Sequence, residues 1–237
     1  MTEISIKAEE LAEINGFKIT NSFISSLFVL VIFFIIGFFY SKESKKRIKG
    51  NFYYLTNFLV KSIYQLFESV LGQNTQYFFP LLGSFFLFIL FNNWFGLLPG
   101  VGSILYHHVP ILRGANADLN TTLSLGILSV VLSQYFGIKF LGFKNYLSKF
   151  LNFSNPISFF TGILEIISEI SKIISFSFRL FGNIFAGEVL LSIMAFLVPI
   201  LASFPFLLLE IFVGFIQALV FSMLTAVFLN LAISKHH

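Results

Sequence analysis

The chain contains 237 residues, of which 57% are hydrophobic and only 11% are charged, with 35 phenylalanines, no cysteine and a net charge of +4. Because soluble domains carry about 25% charged residues, this composition argues against a soluble enzyme, a nucleic-acid-binding protein or a disordered chain. The lack of cysteine excludes disulfides, cysteine-bound zinc and a thiol nucleophile. In a membrane, the length accommodates about five or six helices.

The N-terminal region consists of a polar segment, residues 1–20, followed by an uncharged apolar segment, residues 22–40. The apolar segment is long enough to span a bilayer, which takes about 20 residues. A cleaved signal peptide would begin with basic residues, whereas this region begins with acidic ones. Five basic residues fall within 41–50, and basic residues favour the inner side of a membrane. We therefore expect residues 1–20 outside and 41–50 inside.

The next part of the chain alternates between polar and apolar segments. Residues 51–76 mix apolar and charged positions, which predicts an amphipathic helix along the inner interface. Residues 78–98 and 119–141 are predicted to span the membrane, outward and then back. The segment between them forms an outer loop, in which we interpret the adjacent His107 and His108 as loop residues and not as metal ligands.

From residue 156 to residue 234 almost every position is apolar, and Pro199 and Pro205 predict a turn between two helices, 156–198 and 203–234. Helices of this length measure about 50–60 Å, nearly twice the thickness of the hydrocarbon core. They are therefore either strongly tilted or broken into shorter pieces. The sequence thus predicts an all-α membrane protein with one membrane domain, residues 21–237, about five to six membrane-associated helices and its C-terminus inside.

Six ionisable residues lie in this last apolar stretch. They are Glu165, Glu169, Lys172, Arg179, Glu188 and Glu210. A charge in mid-membrane costs at least about 2.5–3.5 kcal/mol, so such residues are functional candidates. At 100° per residue, a polar stripe falls within about 40° of Arg179, whereas Glu188 falls about 180° away. The stripe comprises Glu165, Ser168, Lys172, Ser175, Asn183 and Ala186. On the last helix, Glu210 and Gln217 are seven residues apart and share a face.

Two polar tracks that approach one arginine from different sides indicate an ion pathway with a barrier. Arginine does not lose its proton in a protein, so Arg179 would block protons and attract a carboxylate, whereas glutamate can carry a proton. The alternative is that these groups pair as structural contacts between helices. Arg179 and Glu188 cannot pair within one helix, because residues nine apart do not meet.

Residues 178–188, FRLFGNIFAGE, resemble the signature of the subunit a family of F-type ATP synthases. The seven-residue spacing from Glu210 to Gln217 and the segments 93–100 and 117–123 also resemble that family, and the resemblance covers roughly residues 75–234. It implies a proton-translocating subunit that is not an enzyme on its own, with a strongly tilted final hairpin. Its partners would be a ring of c subunits, b-type peripheral stalk subunits and membrane lipids.

The resemblance also implies a role for individual residues. Arg179 would be the essential arginine that faces the ring. The inlet half-channel, through which protons enter, would comprise Asn183, Glu188, Glu210, Gln217 and Asp118. The exit half-channel would comprise Glu165, Ser168 and Ser175. Relatives often carry histidine at one of the two inlet carboxylate positions, whereas this chain has glutamate at both.

No cofactor, metal, nucleotide or nucleic acid is expected, since the sequence contains no P-loop motif. We expect a multi-pass protein of an energy-transducing membrane, with a bacterial plasma membrane favoured over an organelle inner membrane. Two alternatives are a secondary transporter for an anionic substrate and a structural scaffold. A transporter would usually contain internal repeats, which the sequence lacks, and a scaffold would not be expected to bury six ionisable groups.

Overall fold

A computed structural model of the chain describes residues 8–14, 16–98, 100–101, 104–106, 109–150, 156–198 and 203–234. Within these residues the chain forms seven α-helices and two antiparallel β-hairpins. The helices are α1 (Asn21–Ser44), α2 (Asn51–Leu71), α3 (Thr75–Gly96), α4 (Leu119–Leu141), α5 (Phe143–Phe150), α6 (Pro156–Leu197) and α7 (Ser203–Ile233). The strands are β1 (Glu10–Ile14), β2 (Phe17–Thr20), β3 (Leu105–Tyr106) and β4 (Val109–Pro110).

Within the described residues, five helical stretches are long and apolar enough to cross a membrane: α1, the combined stretch Asn51–Gly96, α4, α6 and α7. The predicted all-α membrane fold is therefore confirmed. The short helix α5 and both hairpins were not predicted from the sequence. In the stretch Asn51–Gly96, α2 passes through a single 3-10 turn, Gly72–Asn74, into α3. Gly72 has a φ of 54° at this turn, a backbone conformation that other residues adopt at a cost.

The last two helices are longer than a bilayer is thick. Helix α6 has 42 residues and α7 has 31, which correspond to about 63 Å and about 46 Å against a hydrocarbon core of about 30 Å. Helix α6 is unbroken from Pro156 to Leu197, so it is not divided into shorter pieces. Pro205 lies in the first turn of α7, where its missing N–H breaks no helical hydrogen bond. Pro199 lies outside the described residues.

Helices α3, α4, α6 and α7 pack around a common core, to which α2 contributes Phe67. Gly126 permits a close approach between α4 and α6, because a β-carbon there would lie only 2.6 Å from the hydroxyl of Ser177. The hydroxyls of Ser129 on α4 and Thr225 on α7 are hydrogen-bonded at 2.9 Å. These contacts fix α6 and α7 against α4, and thereby position the polar residues of the two long helices.

Candidate functional site

Arg179 lies in the middle of α6 with its side chain exposed. Within the described residues, Arg179 forms no ion pair and its guanidinium forms no hydrogen bond. The stripe predicted around it is largely exposed too, at Ser168, Ser175, Asn183 and Ala186. The neighbouring face of the helix is buried at Phe176, Leu180 and Ile184. Arg179 therefore lies on an exposed face of α6, beside the face that packs against the core.

One turn beyond Arg179, a side-chain hydrogen bond joins the two long helices. The amide nitrogen of Asn183 on α6 donates to Oε1 of Gln217 on α7 at 2.8 Å. Gln217 is 4% exposed, and its own amide nitrogen has no acceptor among the described residues. The pair thus offers a buried polar group that can still donate a hydrogen bond.

Glu210 lies about 10 Å further along α7, a spacing of seven residues. It is 6% exposed, and its carboxyl group rests against Gly187 of α6, where a β-carbon would overlap it. Oε1 of Glu210 is buried and accepts no hydrogen bond within the described part of the chain. The glycine thus makes room for a carboxyl group between two helices, and one of its oxygens stays available to water or a proton.

Glu188 follows Gly187 and points toward a different set of neighbours. Its Oε2 lies 3.7 Å from Nε of Arg113, which precedes α4. Its Oε1 lies beside Gly96 and Gly114, where β-carbons would come within 3.7 Å and 2.6 Å of that oxygen. Two glycines and an arginine therefore form the pocket that receives this carboxylate.

Polar side chains of α3 and of the segment before α4 form hydrogen bonds near this region. Asn93 donates to the backbone carbonyl of Gly214 on α7 at 2.9 Å, and Trp94 donates to that of Ile211 at 3.0 Å. Asn116 donates to Oδ1 of Asn93 at 2.7 Å. The side chains of Asn93 and Asn116 are buried, so these bonds hold α7 at a fixed height beside α3.

Asp118 is 4% exposed and forms the N-cap of α4. Its carboxylate accepts from the backbone N–H of Asn120 at 3.2 Å and from the hydroxyls of Ser22 and Thr121 at 3.1 Å and 3.3 Å. Such a cap satisfies a free N–H of the first helical turn. These contacts give Asp118 a structural task, and its place in an inlet half-channel stays a prediction.

A second polar cluster lies toward the other end of α6, around a cavity of about 140 Å³ lined by Glu165, Glu169, Lys172, Gln134 and Tyr146 among others. Lys172 and Glu169 form an ion pair of 2.6 Å. Tyr146 of α5 donates to Gln134 at 2.5 Å. Burial, together with the charges of Glu169 and Glu165, raises the pKa of Tyr146 to about 12, so the phenol remains a hydrogen-bond donor at neutral pH.

An aromatic layer, formed by the packed rings of Phe85, Phe176, Phe221 and Phe228, lies between the two polar clusters. Phe176 of α6 packs against Phe221 and Phe228 of α7 with ring centroids 4.8 Å and 5.5 Å apart, and Phe85 of α3 reaches Phe221 at 5.7 Å. Phe176 and Phe221 are 3% and 1% exposed. These rings pack α6 against α7 between the two polar clusters, and the buried hydroxyls of Ser177 and Ser222 lie next to them in sequence.

The sequence did not predict the contacts of Arg113, Asn93 and Asn116, because nothing in the spacing of these residues relates them to α6 or α7. The exposure of the Arg179 face, in contrast, follows the helical period used to predict it. The predictions at His107, His108 and the C-terminal residues 235–237 lie outside the described residues.

The fold and these clusters define an integral helical membrane protein that carries ionisable groups inside its membrane-spanning helices, as ion-conducting proteins do. A family model described as ATP synthase A chain matches residues 23–230. The chain belongs to this family, which confirms the resemblance seen in residues 178–188, and it is a membrane subunit of the proton-translocating part of an ATP synthase complex, not a catalytic enzyme by itself.

Three curated relatives agree with the family assignment. The chain is 34% identical to ATP synthase subunit a of Syntrophobacter fumaroxidans over 76% of this chain and 70% of the relative. It is 28% identical to ATP synthase subunit a of Moorella thermoacetica over 91% and 92% of the two chains. It is 31% identical to the chloroplastic ATP synthase subunit a of Stigeoclonium helveticum over 100% of this chain and 94% of the relative.

Proposed function

We propose that this chain provides the two half-channels and the ring-facing arginine that couple proton flow to rotation of a c-subunit ring. The observation that carries the proposal is the exposed Arg179, which has no acid partner within the described residues. An arginine on the lipid-level surface of a membrane helix is costly unless a counter-ion reaches it. A carboxylate on a neighbouring subunit would supply that counter-ion.

The inlet half-channel consists of the polar groups around Glu188, Glu210 and Gln217, which lie on the opposite side of the aromatic layer from α5. Protons would reach Glu188 and Glu210 and pass by way of Gln217 and Asn183 to the ring carboxylate beside Arg179, with Asp118 near the mouth. The carboxyl oxygen of Glu210 and the amide nitrogen of Gln217 support this route, because both are buried and have no partner within the described residues. Groups of this kind can exchange hydrogen bonds with a moving proton or water.

The exit half-channel consists of Glu165, Ser168 and Ser175. The small polar cavity beside Glu165 supports this assignment, as does the exposure of both serines on the Arg179 face. The aromatic layer at Phe176 and Phe221 would prevent protons from passing directly between the half-channels. Arg179 would reinforce that barrier, because it holds its proton and repels others.

The same proposal includes partners and orientation. The chain would contact the c ring through the Arg179 face and b-type peripheral stalk subunits elsewhere, with lipids around both. Its N-terminus would lie outside and its C-terminus inside, because the five basic residues of 41–50 favour the inner side. The membrane would be a bacterial plasma membrane.

Cysteine cross-linking tests the ring-facing surface directly, since the chain has no native cysteine. In the assembled complex, Ser175→Cys and Ala186→Cys should form disulfides with a cysteine placed beside the ring carboxylate. Ile174→Cys is the matched control, because Ile174 is 51% exposed on the same helix but points about 140° away from Arg179. Cross-linking from Ile174 alone would contradict the proposal.

Substitutions of the charged groups test the mechanism. Arg179→Ala should abolish ATP-driven proton pumping in reconstituted vesicles while the complex still assembles, and normal coupling would refute the role of the arginine. Glu188→Gln and Glu210→Gln should each slow proton flux. If neither changes the flux, the relay assignment is wrong.

A further inference from the structure

The start of α1 buries polar side chains instead of apolar ones. The buried residues of this helix are Asn21, Ser22, Ser25 and Val29, and the three polar ones are at most 1% exposed. Buried polar side chains of this kind hold membrane helices to their neighbours through hydrogen bonds. The neighbours of these three residues therefore show what the start of α1 is fixed to.

The two residues that open the helix bond to one segment, residues 109–118, which leads into α4. The amide nitrogen of Asn21 donates to the backbone carbonyl of Pro110 at 3.3 Å. The hydroxyl of Ser22 donates to Oδ2 of Asp118 at 3.1 Å. The start of α1 is thus attached near both ends of this segment.

Ser25 bonds to the middle of the same segment. Its hydroxyl donates to the backbone carbonyl of Asn21 at 3.0 Å and accepts from the backbone N–H of Arg113 at 3.1 Å. The first bond is common for a serine within a helix, and Ser62 and Ser177 form bonds of that kind. The second bond joins Ser25 to the backbone of another element, so it fixes the position of Arg113 beside α1.

Arg113 connects this contact to the proposed inlet half-channel. Its Nε lies 3.7 Å from Oε2 of Glu188, and its side chain is only 11% exposed. Its Nη2 also donates to the backbone carbonyl of Ala117 at 3.4 Å. Because this side chain begins at a backbone position that Ser25 holds, a shift of that backbone changes the distance between the guanidinium and Glu188.

We propose that Ser25 is a positioning residue of the inlet half-channel, which keeps the guanidinium of Arg113 facing Glu188 and thereby sets the rate of proton entry. This inference rests on the proposed function, since it takes Glu188 to be a proton relay. The alternative is that Ser25 only joins α1 to the rest of the chain. Asn21 and Ser22 already provide two such attachments, so α1 stays attached when the Ser25 bond alone is lost.

The rate of ATP synthesis at a low imposed proton gradient, normalised to the amount of assembled complex, tests the inference. Ser25→Ala removes the acceptor of the Arg113 N–H and should slow synthesis about fivefold, which corresponds to about 1 kcal/mol, the usual contribution of one hydrogen bond. Ser25→Thr retains a hydroxyl and should retain most of the rate. Ser26→Ala is the matched control, because Ser26 faces about 100° away on the same helix and forms no hydrogen bond within the described residues.

A double-mutant cycle with Glu188→Gln separates positioning from stability. If Ser25 acts through Arg113 on the carboxylate, Ser25→Ala should change the rate by less than about twofold once Glu188 is neutral, which is the usual error of additivity. A purely structural loss would lower the yield of assembled complex and would have the same fold effect on the rate in both backgrounds.

The outcomes distinguish this inference from the proposed function. If Glu188→Gln alone leaves the rate unchanged, the relay role of Glu188 is wrong and the inference fails with it. If Glu188→Gln slows synthesis but Ser25→Ala does not, or does so equally in both backgrounds, the inference alone is overturned. Should Ser25→Ala not assemble, Ser25→Cys takes its place, because a thiol is similar in size but accepts hydrogen bonds weakly. Failure of both variants to assemble would overturn the positioning role.

Discussion

Replacing Arg113 by alanine removes the cation that faces Glu188. The two groups are 3.7 Å apart, and their side chains are only 11% and 22% exposed. At this distance an effective dielectric constant of about 20 gives an attraction of about 4.5 kcal/mol, which desolvation partly offsets. Because loss of one partner leaves a largely buried charge without its counter-ion, we expect Arg113→Ala to lower the free energy of unfolding by about 3 kcal/mol.

A double-mutant cycle with Glu188→Gln measures the interaction itself. The full chain in detergent micelles is unfolded with increasing dodecyl sulfate, and the fluorescence of Trp94, the one tryptophan in the sequence, reports the transition. We expect a coupling energy of about 2 kcal/mol, within the range for contacting charges. Arg113→Lys should retain part of it.

The result that would refute this reasoning is additivity of the two single substitutions within about 0.5 kcal/mol. The Lys46–Glu43 pair serves as the comparison, because its side chains are 54% and 21% exposed. Exposed ion pairs often contribute nothing measurable, so this second cycle should show no coupling. Equal coupling in both cycles would mean that the pocket around Glu188 has no special effect.

Two further predictions concern the spaces beside the polar groups. Gly187→Ala should displace the carboxyl group of Glu210 and slow proton flux while the complex stays assembled. Gly83→Ala, where a β-carbon would come no closer than 3.8 Å to Phe79, should not, and equal effects would contradict the role of the glycine. Phe221→Ala should cost about 3–5 kcal/mol and raise passive proton leak through vesicles by opening the aromatic layer. Phe212→Ala, at a position 62% exposed on the same helix, should cause no leak, and an unchanged leak in Phe221→Ala would show that the layer is not the barrier.

The sequence was sufficient to predict features that depend on a single helix, such as its ends and the face on which a residue lies. The period of an α-helix placed Ser175 and Asn183 on the face of Arg179, and all three are exposed in the structure. Helix α4 begins at Leu119 and ends at Leu141, which are the bounds of the predicted span. The apolar segment starts directly after Asp118 and ends just before Gly142 and Lys144, so the sequence marks both ends of the helix. These features depend on residues that are close in sequence.

The sequence was insufficient where two elements meet. Arg113 and Glu188 are 75 residues apart in the sequence, and no repeat or motif relates them. The hydrogen bond between Asn183 and Gln217 depends on the relative height of α6 and α7, which hydrophobic periodicity does not set. Helix α5 has only eight residues and too little regular pattern to stand out from a loop.

The bonds from Asn93 and Trp94 to α7 end on backbone carbonyls, and this has a consequence for sequence change. A carbonyl acceptor is present whatever side chain its residue carries, so position 211 can vary among apolar residues without loss of the Trp94 bond. Position 214 has less freedom, because a β-carbon there would lie 3.1 Å from Cβ of Asn93. Evolution of the α7 surface is thus constrained at glycine 214 by the shape of its neighbour and left free at 211.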